Sequence, residues 1–240
     1  MKQQNLDRIH EFWSKSLGCK KQVLKKPKSG IFSRQKPSDY TIDHTKEKVD
    51  VFFKESEKIV SCHESSLSQV RELDFSRQNL QEERLDVKEI LGPAFLSFTD
   101  SESFKPVKSP DCRKLKESDA EKLEDLKETG QEEEIENSIG DYNPVEHCLF
   151  GKFLEGRLVA VSGYEIWNGE IAFLIVFVSK EYRGKGFGKQ VVSEAAQHAI
   201  SHNLIPCYRT VEGWKSSINL AKSLGFEKYA STYLIEIKGK

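Results

Sequence analysis

The sequence predicts an α+β protein in which a mixed sheet is flanked by helices, and three observations carry that prediction. Strand-like segments of the second half are separated by Glu155-Gly156 and Asn168-Gly169, dipeptides typical of tight hairpin turns. Residues 171–178 are apolar at every position, as in a strand buried on both faces. From Phe187 to Ile200, apolar side chains then recur at helical spacing.

The first half of the chain reads as a smaller α+β region. We predict an amphipathic helix within residues 1–24, strands over 49–53, 58–62 and 94–99, and helical segments over 67–73 and 74–85. Residues 100–111 contain Pro106, Pro110 and several serines, a composition typical of linkers. The chain of 240 residues is therefore predicted to hold two domains, 1–105 and 112–240.

The second half has the clearer pattern. Ser118 and Glu121 have the spacing of a capping box, which predicts the start of a helix. Strands are predicted over 148–154, 157–164, 171–178, 204–211 and 229–237, and a short helix over 217–224 that ends at Gly225.

Composition limits the classes of function. There are 37 Lys and Arg against 38 Asp and Glu, a net charge of -1, which argues against a nucleic-acid partner. The five cysteines are odd in number and far apart, so neither a disulfide framework nor a metal site is expected. The N-terminus shows no signal-peptide pattern, and the longest apolar run, 171–178, is far short of the roughly 20 residues that span a bilayer. We expect a cytoplasmic protein without a membrane partner.

A glycine-rich loop lies between the apolar strand, 171–178, and the helix predicted from the apolar spacing of Phe187 to Ile200. It contains Gly184, Gly186 and Gly188, with Arg183, Lys185 and Lys189 around them. Glycines let a backbone approach a ligand closely, and the N–H groups at a helix N-terminus face an anion. This loop is therefore predicted to bind a phosphate or pyrophosphate.

Two familiar phosphate loops fail on spacing. A P-loop requires Ser or Thr after Gly-Lys, but Gln190 follows Gly188-Lys189. A dinucleotide-binding fingerprint requires a third glycine where Lys189 stands.

The spacing Arg183-x-x-Gly186-x-Gly188 resembles the pyrophosphate loop of the GNAT superfamily of acyl-CoA N-acyltransferases. The segment Ser217-x-x-Leu220-Ala221-x-x-Leu224-Gly225-Phe226 is similar to a later helix of that superfamily, which ends in a Gly-Phe pair. The resemblance covers about residues 112–237 and implies a GNAT fold for the C-terminal domain.

The front half resembles, in less specific features, a bacterial subgroup with an α+β region ahead of the acetyltransferase domain. Those features are Glu11-Phe-Trp13, Leu17-Gly18, the segment 91–100 and Arg113-x-Leu115-x-x-x-Asp119. Such a region can be a degenerate copy of the same fold, and the sequence leaves that reading open because residues 1–105 contain no second glycine loop.

The resemblance implies acetyl-CoA as cosubstrate and no metal. Main-chain groups of the strand would bind the pantetheine arm and polarise the thioester carbonyl, while loop N–H groups bind the pyrophosphate. The strand and loop residues assigned in this way are Val176, Val178, Arg183, Gly184, Lys185, Gly186, Phe187, Gly188 and Lys189, and Ser217 of the later helix is assigned as a further CoA contact.

Three residues are candidates for proton transfer. Glu170, at the head of the apolar strand, is a candidate base, although Ala172 holds the position at which protein-acetylating relatives often carry one. Glu134, in an acidic run where the superfamily forms a wall of the acceptor site, is a candidate for attracting a cationic amine. Ala221 replaces the tyrosine that often serves as acid, which leaves Tyr233 as a substitute.

The sequence therefore predicts an N-acetyltransferase that moves an acetyl group from acetyl-CoA to a primary amine of a small molecule, in a ternary complex. Two alternatives stay open: a CoA-binding sensor that has lost catalysis, and a protein N-acetyltransferase. The assembly is predicted to be a monomer or a homodimer.

Overall fold

The structure is a computed structural model that describes residues 1–34 and 46–239. Its helices are α1 (Gln3–Ser16), α2 (Lys21–Lys25), α3 (Leu67–Arg71), α4 (Arg77–Gln81), α5 (Ala120–Lys127), α6 (Glu132–Glu136), α7 (Phe187–Ser201) and α8 (Lys215–Ser223). Its strands are β1 (Gly30–Arg34), β2 (Lys48–Lys54), β3 (Glu57–His63), β4 (Glu89–Phe98), β5 (Cys112–Lys114), β6 (Cys148–Leu154), β7 (Arg157–Trp167), β8 (Ile171–Val178), β9 (Ile205–Val211) and β10 (Glu227–Glu236). Among the described residues, no helix is both long and apolar enough to cross a bilayer.

The chain divides into two compact units, which are described separately. The first unit consists of Met1, 98–209 and 216–227; the second consists of 2–97, 210–215 and the segment from Lys228 onward.

In the second unit the strands follow the order β1-β3-β2-β10-β4. Strand β2 pairs antiparallel with both β3 and β10, whereas β1 runs parallel to β3. Strand β2 is buried on both faces, and its side chains alternate between them. Val49, Val51 and Phe53 join the core that contains Tyr233, while Phe52 faces Trp13 of α1 at 4.7 Å between ring centroids.

The first unit contains the mixed sheet that the sequence predicted. Its strand order is β9-β8-β7-β6-β5, antiparallel from β5 to β8 and parallel between β8 and β9. Helix α5 covers one face through the core that includes Leu123 and Ile175, and α7 covers the other through the core that includes Leu174 and Ala196.

The two hairpin turns have the backbone that their sequences predict. Glu155 and Gly156 have φ of 49° and 82°, and Asn168 and Gly169 have φ of 52° and 70°. Left-handed values at both central positions match the twist of the flanking strands, which is why such dipeptides favour hairpins.

The two units differ from the predicted division into 1–105 and 112–240. The C-terminal strand β10 groups with the N-terminal half, because residues 231–236 pair antiparallel with residues 48–53 of β2. The segment 100–111, predicted as a linker, is instead part of the first unit. Phe104 and Val107 pack against the core under α7, and the Lys105 N–H donates to the Leu224 carbonyl at 2.9 Å.

Candidate functional site

Strands β8 and β9 pair over only part of their length. Their ladder joins four residue pairs, from Ile171–Ile205 to Leu174–Tyr208, and β8 then continues to Val178 without recorded pairing on that side. We call residues 175–178, on the side that faces β9, the open edge of β8. An open edge presents backbone donors and acceptors in a row that an extended ligand can bind.

The register of β7 and β8 fixes which backbone groups face the open edge. The Ser179 N–H donates to the Val159 carbonyl at 3.1 Å, so this is a hydrogen-bonded pair of the antiparallel ladder. Such pairs alternate with pairs whose N–H and C=O groups point away from the partner strand. Phe177 and Ile175 therefore bond to β7, whereas Val176 and Val178 direct their backbone groups toward the open edge.

The glycine loop follows the open edge directly. Gly184 and Gly186 have φ of 77° and 82°, and Gly186 is the N-cap of α7. At the start of α7, the Gln190 N–H donates to the Gly186 carbonyl. Within the described chain, the six N–H groups of residues 184–189 have no recorded acceptor. Consecutive free N–H groups at a helix N-terminus form an anion site.

Gly188 has a different role from the other loop glycines. A Cβ atom at this position would lie 3.2 Å from Val178 Cγ2 and 3.4 Å from Leu220 Cδ1. The first turn of α7 therefore lies against the end of β8 and against α8, and a glycine permits that approach. Cβ atoms at Gly184 and Gly186 would meet nothing within 4 Å, so their hydrogens face open space.

The cations of the loop are exposed or half-buried. Arg183 donates from Nε to the Val178 carbonyl at 3.0 Å and forms an ion pair with Glu134 of α6. Lys185 Nζ lies 4.7 Å from the centroid of the Tyr182 ring. Lys152, a residue that the sequence did not single out, is buried on β6 with its Nζ 5.3 Å from the centroid of Phe187. Lys152 also donates to the Pro110 carbonyl and pairs with Asp111, so Arg183, Lys185 and Lys189 of the loop itself supply the positive charge beside the N–H groups.

Ser217 lies in the first turns of α8, where its hydroxyl contacts the Tyr208 hydroxyl at 3.1 Å. Tyr208 is the last β9 residue of the ladder, so it stands where the open edge of β8 begins. Its side chain is buried, and burial raises the pKa of its phenol above the ordinary value. The sequence analysis missed Tyr208, because a tyrosine in a predicted strand carries no signal apart from its β propensity.

The structure separates the three predicted proton-transfer residues. Glu170 immediately precedes β8. At about 3.3 Å per residue, it lies roughly 20 Å along the strand from Val176. The structure therefore does not bring Glu170 to the open edge. Glu134 is brought to the loop, where its carboxylate pairs with Arg183. Tyr233 packs in the core of the second unit, 2% exposed and in edge contact with Phe53. Its buried position offers no support for a role as acid.

Among the described residues, no group of three or more His, Cys, Asp or Glu is arranged to hold a metal ion. The donors at the site are backbone N–H groups, lysines and an arginine, which suit an anion. This donor set and the open edge fit acetyl-CoA, whose pyrophosphate is anionic and whose pantetheine arm is extended and rich in amides.

The fold and the site together have a split pair of parallel strands beside an anion-binding loop, an arrangement that suits an acyl-CoA. Comparison with known families agrees: residues 112–226 match the Acetyltransferase (GNAT) family. Residues 112–226 are thus a GNAT acetyltransferase domain, which marks the chain as an N-acetyltransferase of that type.

Similar sequences come from mammals. Thialysine N-epsilon-acetyltransferase of Sus scrofa is 29% identical over 136 residues, which cover 49% of this chain and 79% of that protein. Thialysine N-epsilon-acetyltransferase of Mus musculus is 30% identical over 96 residues, which cover 35% of this chain and 56% of that protein.

Solved structures share the fold at lower identity. A GNAT-family acetyltransferase from Novosphingobium aromaticivorans has a TM-score of 0.51 at 21% identity and covers 64% of this chain and 67% of its own. A GNAT-family acetyltransferase from Colwellia psychrerythraea has a TM-score of 0.52 at 16% identity, and the match covers 64% of this chain and 59% of that one. The likeness of the front half to a bacterial subgroup, and its reading as a degenerate copy of the fold, stay predictions.

Proposed function

We propose that the chain transfers the acetyl group of acetyl-CoA to a primary amine of a small molecule, by direct transfer within a ternary complex. The observation that carries this proposal is the open edge of β8, continuous with the six free N–H groups of residues 184–189. An extended thioester and a pyrophosphate require these two features side by side.

In this proposal the pyrophosphate binds the loop N–H groups at the start of α7. Arg183, Lys185 and Lys189 add positive charge there. The pantetheine arm lies along the open edge and pairs with the main-chain groups of Val176 and Val178. An N–H group on that edge also donates to the thioester oxygen as negative charge develops on it, which lowers the barrier to attack.

The chemical step joins the amine nitrogen to the thioester carbonyl carbon and releases the CoA thiolate. Because Tyr208 stands where the open edge begins and bonds to Ser217, we propose its hydroxyl as the proton donor to that thiolate. With Glu134 paired to Arg183 and Glu170 remote from the edge, the amine would enter in its neutral form or lose its proton to water. The value of kcat/KM should then rise with pH toward the pKa of the free amine.

The acceptor is proposed to be a primary aliphatic amine. The relatives are named for acetylating the ε nitrogen of thialysine, so thialysine and lysine are the first amines to test. A cytoplasmic location is proposed as well, which agrees with the five cysteines being free thiols.

The experiment has two stages. Calorimetry with acetyl-CoA should give saturable binding, and its absence would remove the core of the proposal. Thiol release is then followed across a panel of amines and lysine-containing peptides. Release with a small amine supports the proposal, release with peptides alone favours a protein N-acetyltransferase, and binding without any release favours a CoA sensor.

A further inference from the structure

A second cluster of reactive side chains lies outside the acetyl-CoA site, on the face of the sheet that α7 covers. Cys148 opens β6, Tyr164 is its partner in the ladder on β7, and His198 lies near the end of α7. The Cys148 Sγ atom is 3.5 Å from His198 Nδ1, and the Tyr164 hydroxyl is 2.8 Å from the same nitrogen. One imidazole nitrogen therefore faces two groups that each carry a proton.

The position of the cluster separates it from the glycine loop. His198 is eleven residues after Phe187 along α7, or about 16 Å at 1.5 Å per residue. None of its three members belongs to the open edge or to residues 184–189.

The imidazole of His198 is held in its neutral form. Burial lowers the pKa of His198, and the neighbouring His202 and Lys114 lower it further. The rings of His198 and His202 lie 4.1 Å apart, and His202 Nδ1 is 2.8 Å from the His198 carbonyl oxygen. A neutral imidazole can take the proton of an adjacent thiol, which is how a cysteine is activated as a nucleophile.

Within residues 1–34 and 46–239, the other four cysteines have no imidazole nitrogen in contact with their sulfur. Cys62 and Cys207 are buried. Cys19 and Cys112 are half-buried like Cys148, but burial raises the pKa of each to about 11, which keeps both as thiols. The chain thus contains its own matched controls for the reactivity of Cys148.

We propose that Cys148 is a modification site that exchanges with low-molecular-weight disulfides, with His198 as its base. The thiol proton passes to His198 Nδ1, and the thiolate attacks one sulfur of the disulfide. A protein–S–S–R bond forms, the original S–S bond breaks, and the departing thiolate takes the proton back from the imidazolium. Thiol and disulfide are conserved in number, so the step needs no other oxidant.

Tyr164 competes for the same acceptor. While its hydroxyl donates to Nδ1, that lone pair is not available to the thiol, so Tyr164 should restrain the reaction. Removing the hydroxyl and removing the imidazole should therefore change the rate in opposite directions.

The experiment uses the full chain and oxidised glutathione, with acid quenching and peptide mass spectrometry to read each cysteine separately. In the wild-type protein we expect Cys148 to react about tenfold faster than Cys19 or Cys112, because an imidazole nitrogen lies 3.5 Å from its sulfur and can take its proton. Equal rates at the three half-buried thiols would overturn the proposal.

Two variants test the mechanism, and a third is their control. His198→Phe keeps a ring beside Phe150 and His202 but removes the base, and it should slow Cys148 about tenfold relative to Cys112 in the same molecule. Tyr164→Phe should leave Cys148 as fast as in the wild-type protein or faster, while Gln197→Ala, at an exposed position of α7, should leave the Cys148 to Cys112 ratio unchanged. An unchanged ratio in His198→Phe, or a slower Cys148 in Tyr164→Phe, would contradict the assignment.

Discussion

The carboxylate of Glu134 on α6 pairs with the guanidinium of Arg183, which opens the glycine loop 49 residues later in the chain. The same guanidinium donates to the Val178 carbonyl at 3.0 Å, and its Cζ lies 5.9 Å from the centroid of the Phe177 ring. Arg183 is thereby held between the end of β8 and α6. The contact gives Glu134 a positioning role toward the loop.

Glu134→Gln should weaken acetyl-CoA binding about two- to fivefold and leave kcat nearly unchanged, since a partly exposed ion pair contributes up to about 1 kcal/mol. Glu133→Gln, on the exposed side of the same short helix, is the matched control. A double-mutant cycle with Arg183→Gln, measured by calorimetry, should show that the two changes are not additive. A fall in kcat with a flattened pH profile and unchanged acetyl-CoA affinity would instead restore Glu134 as an acceptor-site base.

Gly186→Ala should weaken acetyl-CoA binding about tenfold, because the loop must keep left-handed backbone at that position and a methyl group would enter the space above the N–H groups. Gly156→Ala is a close control: both glycines have φ of 82° and neither has a neighbour within 4 Å of the added Cβ. The two variants should lose similar stability, about 1–2 kcal/mol each. Calorimetry separates them, and equal acetyl-CoA affinity in both would count against the loop as the pyrophosphate site.

Tyr208→Phe should lower kcat by about 100-fold while leaving acetyl-CoA affinity intact, because general acid catalysis typically contributes at least that much. Burial raises the pKa of Tyr208, so the hydroxyl stays protonated and able to donate through the neutral and mildly alkaline range. Ser217→Ala, which removes only the hydroxyl partner, should have a smaller effect. Steady-state kinetics with acetyl-CoA decide the point, and an unchanged kcat in Tyr208→Phe would reduce Tyr208 to a packing role.

Asp119→Asn should lower the free energy of unfolding at pH 7 by about 2 kcal/mol, because the Asp119 carboxylate accepts three charge-assisted or backbone bonds. Arg113 donates to both oxygens at 2.6 and 2.7 Å, and the Lys116 N–H donates at 2.9 Å. These bonds hold the pKa of Asp119 well below its ordinary value of 3.8. The stabilisation is therefore present above pH 3.8 and is lost as the pH falls below it.

Urea unfolding from pH 7 down to pH 2 checks this prediction. The difference between the wild-type protein and Asp119→Asn should shrink on acidification, whereas Asp125→Asn, at an exposed position of α5, should change stability little throughout. A difference that stays constant with pH would mean that the charge of Asp119 is not what stabilises the fold.

Local patterns in the sequence were sufficient to predict many of the turns and strands of the first unit. The glycine loop, the two hairpin turns and the strands 148–154 and 171–178 lie where they were predicted, because turn preference and runs of strand-forming residues act over a few positions. The capping box predicted at Ser118 and Glu121 does not begin α5. Asp119 is instead the N-cap of α5, and its carboxylate accepts from the Lys116 N–H. This arrangement depends on Arg113 lying beside Asp119, which the local sequence pattern does not encode.

The sequence by itself indicated the class of the protein, because the spacing of Arg183, Gly186 and Gly188 and the apolar strand before them are local features that resemble the GNAT pattern. The tertiary structure decided which side chains join that loop. Glu134 with Arg183, Tyr208 with Ser217, and Cys148 with His198 are pairs brought together by packing across strands and helices. No short-range period encodes such contacts, because they depend on where distant segments dock, as does the pairing of β10 with β2.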